Sequence, residues 1–162
     1  MEEYSKESYW NVLSQLEGRW EGETDGKSGL GKGVRDFSPI IQGKFFHGKN
    51  RVVFEPQEKN PEGEVHEDWE FFSYDSIKKI GKLRVFYGEG YFTDYTLKGL
   101  SVADRELVFL TQENENLPDG FRARITLKLL SDNHLNDKLE LANPGKDFGV
   151  CIENNWYKES SV

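Results

Sequence analysis

Few residues in this chain have types and spacings that could do chemistry, and those few lie on short stretches of alternating polarity. His66-Glu67-Asp68 brings an imidazole and two carboxylates together. In extended chain neighbouring side chains point to opposite faces, so His66 and Asp68 share one. Adjacent carboxylates raise one another's pKa and support acid–base work, and a His–Asp pair offers metal ligands. A solvated strand face has the same composition. His47 and Arg51, in Phe45-Phe46-His47-Gly48-Lys49-Asn50-Arg51, also share a face. On an inner wall they would hydrogen-bond an anionic or carbonyl-bearing ligand; on an outer wall they would be solvated. Arg122 and Arg124 oppose the apolar series Phe121, Ala123, Ile125, Leu127 and Leu129. They read as a charged outer surface, because an inward arginine needs a carboxylate or an anion beside it.

Other motifs exclude more than they assign. The chain has no Gly-x-Ser-x-Gly nucleophile elbow. Gly26-Lys27-Ser28-Gly29-Leu30-Gly31 lacks the order of a phosphate loop, and no helical pattern follows it. With Gly33, these glycines read as a hairpin turn. Cys151 is the only cysteine, so no intrachain disulfide or thiolate zinc site can form and a reducing compartment fits. Without a basic neighbour, it reads as a buried, inert thiol. No catalytic residue, metal ligand set or cofactor is assigned on these grounds.

The elements that must position these residues are almost all extended. Tyr9, Trp10, Val12, Leu13 and Leu16 recur at helical spacing, with Ser5 or Ser8 available as N-cap, which predicts a short amphipathic helix at about 6–15. Gly18-Arg19-Trp20-Glu21-Gly22 then predicts a sharply bent first strand, with the indole packed across a floor. Nine further runs follow: Gly33–Ile41, Lys44–Glu55, Glu64–Tyr74, Lys82–Gly88, Tyr91–Lys98, Asp104–Gln112, Phe121–Leu130, Leu135–Ala142 and Phe148–Tyr157. Turn-rich segments such as Pro56–Gly63 and Asn143–Asp147 separate them. No linker or repeat divides the chain, so residues 1–162 read as a single domain. An antiparallel meander of this length closes most economically on itself. The expected fold is therefore all-β, a single antiparallel up-and-down β-barrel of about ten strands with a short N-terminal capping helix.

Alternation separates two faces on each strand without saying which is inner. Val65, Trp69, Phe71 and Ser73 oppose His66, Asp68, Glu70 and Phe72, while Phe148, Val150, Ile152 and Trp156 oppose Cys151, Glu153 and Tyr157. Four Trp, seven Tyr and eleven Phe predict an interior filled or lined by rings. The net charge of −8 disfavours nucleic acid and anionic membrane as partners. The acidic N-terminus does not read as a signal peptide, and no apolar run reaches membrane-spanning length, so the expected location is cytoplasmic.

Several short motifs carry a resemblance. A helix followed by Gly18-Arg19-Trp20-Glu21-Gly22, then Pro39-Ile40-Ile41-Gln42-Gly43-Lys44-Phe45-Phe46, Tyr74-Asp75 and Glu153-Asn154-Asn155-Trp156-Tyr157-Lys158, together resemble the calycin barrels. These comprise lipocalin, fatty-acid-binding and nitrobindin-like proteins, and the likeness points to a lipocalin-like bacterial family. The resemblance implies a barrel enclosing a small apolar or amphipathic molecule. The nitrobindin-like branch binds haem through one histidine, a position only His134 could match, and His134 sits beside turn residues as a surface histidine would. The fatty-acid-binding branch uses an Arg-x-Tyr pair near the last strand; this chain has Asn155-Trp156-Tyr157 there, so that mode is not carried over.

The sequence thus points to an intracellular binder of a small hydrophobic or amphipathic ligand. Trp69, Tyr87 and Tyr95 are the expected wall residues, with His47 and Arg51 as polar anchors. Two alternatives from other classes are an enzyme using His47 or His66 as general base and a solidly packed interaction module.

Overall fold

A capping box starts the helix α1, Lys6–Ser14. The Ser5 hydroxyl oxygen accepts from the Ser8 N–H at 3.0 Å, and the Ser8 hydroxyl oxygen accepts from the Ser5 N–H at 2.9 Å. Two donors without a partner inside the helix are thereby satisfied. The helix buries Tyr9, Val12 and Leu13, and Leu16 follows them into the core. Tyrosine hydroxyls fasten this segment to the barrel: Tyr9 donates to the Lys82 carbonyl and Tyr4 to the Leu97 carbonyl.

The computed structural model describes residues 3–159. Among these, one helix is followed by ten strands: β1 (Gly18–Gly26), β2 (Gly29–Ile40), β3 (Phe45–Phe54), β4 (Glu64–Asp75), β5 (Ile80–Tyr87), β6 (Phe92–Ser101), β7 (Glu106–Glu115), β8 (Arg122–Ser131), β9 (His134–Ala142) and β10 (Gly149–Lys158). Each strand pairs antiparallel with the next, and β10 returns to β1 from Trp20↔Lys158 to Glu23↔Asn155, closing the barrel. Closure leaves no exposed edge to recruit another chain. No helix among the described residues is long and apolar enough to cross a membrane; this says nothing of strands.

Up-and-down order gives the barrel two unlike ends. The β2–β3, β4–β5, β6–β7 and β8–β9 connections share the end that α1 covers; the other connections surround the opposite end, the mouth. Beneath the helix the interior is packed solid with Trp20, Phe37, Phe46, Phe72, Leu83, Leu107, Phe109 and Leu135, all at most 2% exposed. The indole N–H of Trp20 donates to the Leu16 carbonyl at 2.8 Å, pinning the first strand to the end of the helix.

Two sequence expectations are corrected here. The hairpin turn is confined to Gly26–Gly29, whose end glycines pair with each other. Strand β2 already begins at Gly29, so Gly31 and Gly33 lie in the strand and, like Gly29, face inward. The reason is space, since a Cβ on Gly33 would come within 2.6 Å of the Trp156 ring. On β10 the expected alternation fails at a register shift between Val150 and Ile152. One extra residue flips the side chains that precede it. Val150 therefore points out, Ile152 and Trp156 point in, and Cys151 is exposed rather than buried.

Candidate functional site

Strand register brings charged residues onto the inner wall. Arg35, Asn50, Asp68 and Tyr87 face one another in a row across β2, β3, β4 and β5. The adjoining row runs Phe37, Gly48, Glu70, Val85, Thr93 and Asn114. Gly48 is needed there, because a Cβ would meet the Phe37 ring at 2.8 Å and Glu70 Oε2 at 3.0 Å. The absent side chain is what lets the Glu70 carboxylate lie against β3.

Arg35 is the centre of this wall. It is 3% exposed, and its guanidinium pairs with Glu70 on one side and Asp137 on the other. Phe37 and Trp156 sandwich it, with ring centroids 4.8 and 5.7 Å from its central carbon. Burial alone would lower the Arg35 pKa, but Glu70, Asp137 and Asp68 more than reverse this. For Glu70 and Asp137, burial pushes the carboxyl pKa up against the pull of Arg35. Two carboxyl groups share one guanidinium, so the triad holds one acid more than it has bases.

Asp68 continues the cluster toward the mouth. Its Oδ2 lies 2.9 Å from His66 Nε2, and His66 Nδ1 lies 2.7 Å from Glu89 Oε1. The hydrogen bond to Asp68, opposed by burial and helped by both negative charges, raises the His66 pKa to about 9. At neutral pH the imidazole is thus a clamped cation that donates from both nitrogens. Among the described residues, His66, Asp68 and Glu89 are also a trio whose ligand atoms lie within 4.8 Å of one another. A metal there would have to displace the imidazolium proton.

Above the charged floor the wall turns apolar. Phe54, Phe121, Ile125, Leu139 and Leu141 are partly buried against the core. Beside the mouth, a cleft of about 440 Å³ is lined by residues including Thr111, Asn114, Leu117, Pro118 and Phe121. The inner-facing apolar side chains of the mouth half are thus left partly exposed, unlike those under the helix. With the charged base below them they outline a cup open at the mouth.

The five residues expected to form the site divide by facing. Tyr87 and Tyr95 are on the inner wall with their hydroxyls 2.9 Å apart. Burial raises both, Tyr95 to about 12, so they are neutral hydrogen-bonding groups. His47, Arg51 and Trp69 are on the outer wall. Trp69 is 44% exposed, donates its indole N–H to Glu67 and carries the Lys49 ammonium over its ring. His47 lies between Trp69 and Phe71, and Arg51 approaches Glu67 at 4.0 Å in solvent. The expectation that these three line the interior is corrected. Its physical reason is that the polar face of β4 points inward while an aromatic row covers the outside, the reverse of hydrophobic patterning.

Arg122 and Arg124 are on the outer wall, over the Phe148 ring, with Arg124 forked onto Glu140. His134 also projects outward, stacked on Tyr157 and bonded to Asn155 at 2.8 Å, so it cannot reach an iron inside the barrel. Arg35, Glu70, Asn50 and Asp137 did not emerge from the sequence as site residues. One signal was present for Arg35: it alternates in step with Gly31, Gly33 and Phe37, on a face too small and apolar to be solvated.

The fold defines a closed ten-stranded antiparallel barrel capped by a helix. It is similar to the crystal structure of Rv2717c from M. tuberculosis, with a TM-score of 0.63 at 10% identity over 97% of this chain and 100% of that one. A redesigned beta barrel matches with a TM-score of 0.47 at 9% identity, covering 93% of this chain and 96% of that one. No protein-family model and no curated protein matches the sequence.

Proposed function

We propose that this protein binds a small amphipathic molecule in the mouth half of the barrel, polar end down. The observation that carries this reading is the order of the wall: five partly buried apolar side chains stand above a buried charged base. Apolar walls with a few placed polar groups are the usual make-up of ligand pockets. The helix half is filled, so the occupant is short and does not thread the barrel. The lipocalin-like resemblance agrees with this reading but adds no residue to it. Catalysis with His66 as general base is disfavoured, because a pKa of about 9 leaves it protonated at neutral pH. The test is native mass spectrometry of the purified protein, followed by titration with short amphiphiles. Retention of a small molecule, or saturable binding that raises the melting temperature, is expected. Absence of both across the panel would refute the proposal.

A further inference from the structure

The buried hydrogen-bonding inventory of the inner wall is lopsided. Among the described residues, Asn50 Oδ1, Asp68 Oδ1, Glu70 Oε2 and Asn114 Oδ1 are buried acceptors without a partner, whereas Trp156 Nε1 is the one inner-wall donor so left. Asp68 and Glu70 are 7% and 8% exposed. An acceptor buried without a partner is costly, the more so when it is charged. The charges lean the same way. Asp68, Glu70 and Asp137 face Arg35 and His66, with Glu89 a further carboxylate at the rim. Register sets Asn50 beside Asp68, with Glu70 in the adjoining row, so the residues that carry three of the orphan oxygens share one stretch of wall.

We propose that the occupant of this cup carries a cationic, hydrogen-bond-donating head, an alkylammonium or guanidinium type of group, seated against Asp68, Glu70 and Asn50. This inference rests on the amphiphile-binding reading and gives it a polarity. The head donates to oxygens that have no partner in the protein, and its charge offsets the excess of carboxylates. A carboxylate head would meet like charge and no free donor except the Trp156 indole. A neutral hydroxyl supplies one donor and no charge. The tail lies along Phe54, Phe121, Leu139 and Leu141.

The experiment is calorimetric titration of the full chain with decylammonium, decanol and decanoate, three probes sharing one tail, each below its micelle concentration. The expected result is decylammonium tightest, by about tenfold or more over decanol, with decanoate weakest. Asp68→Asn and, separately, Glu70→Gln should shrink the preference for decylammonium while decanol binding persists. Glu67→Gln, on the outer face of the same strand, should leave it unchanged. Equal or tighter binding of decanol or decanoate overturns the inference and leaves amphiphile binding standing. A decylammonium preference that survives both inner-wall substitutions reflects attraction to an acidic surface and also overturns it. Binding of none of the three removes the amphiphile reading and this inference with it. Should either variant fail to fold, the order of the three probes on the unaltered protein decides.

Discussion

Arg35 holds two buried carboxylates together, and its removal is more damaging than its small surface suggests. Replacing one member of a buried ionic cluster leaves charge uncompensated, typically at about 3–5 kcal/mol. Arg35→Met should therefore lower the urea-unfolding free energy by about that amount near neutral pH. The loss should shrink as pH falls, because protonation removes the stranded charges on Glu70 and Asp137, whose carboxyls burial already pushes up. His66 gives the opposite pH signature. Its folded pKa is raised to about 9, above the ordinary value of 6.5, so its ion pairs contribute fully below about 6.5. That contribution is lost as pH rises through about 9. A melting-temperature series across this window should fall in the unaltered protein, and His66→Gln should remove that component of the fall. A His66→Gln profile that overlays the original would sink the assignment.

Strand β2 shows how an element can serve a site through what it omits. Gly33 on β2 admits the Trp156 ring, and Gly48 on β3 admits Phe37 and the Glu70 carboxylate. Gly33→Ala sets a methyl 2.6 Å from the indole, which must move. Overpacking of this kind costs about 1–3 kcal/mol, and the displaced Trp156 should shift the tryptophan emission spectrum. The helix contributes in the ordinary way, by burial. Leu13 is fully buried beneath the barrel floor, and Leu13→Ala should cost about 2–5 kcal/mol in denaturant unfolding. That change lies at the filled end, so amphiphile binding at the mouth should be unaffected in the folded protein.

At the scale of the whole molecule, closure is the decisive feature. A closed sheet has no fraying edge, yet its ladders are unequal. The β1–β10 seam runs only from Trp20↔Lys158 to Glu23↔Asn155, whereas β1 pairs β2 from Gly18↔Phe37 to Gly26↔Gly29. Native-state amide exchange should therefore show that seam opening at lower free energy than the β2–β3–β4 wall. Uniform protection around the barrel would contradict this. Ligand binding in the cup should stabilise the molecule by mass action, by about 2.7 kcal/mol at a hundred times Kd.

Local chemistry alone determined the fold. Ten alternating runs and the turn residues between them specify antiparallel strands, and the spacing of Tyr9, Val12, Leu13 and Leu16 specifies a helix beginning at the Ser5–Ser8 box. Each of these is a property of neighbours in the chain. What lies inside the barrel is not such a property. Trp69 and Phe71 look like wall residues, and Asp68 and Glu70 look solvated, until the sheet closes and reverses them. The extra residue on β10 and the Gly31–Gly33 face mislead for the same reason, since a bulge and a ring's need for space exist only between strands. Inward burial of Asp68, Glu70 and Asp137 is stable because Arg35 reaches Glu70 and Asp137 from another strand while His66, two residues along β4, pairs with Asp68. Partners a hundred positions apart in sequence, such as Arg35 and Asp137, meet only in the tertiary structure.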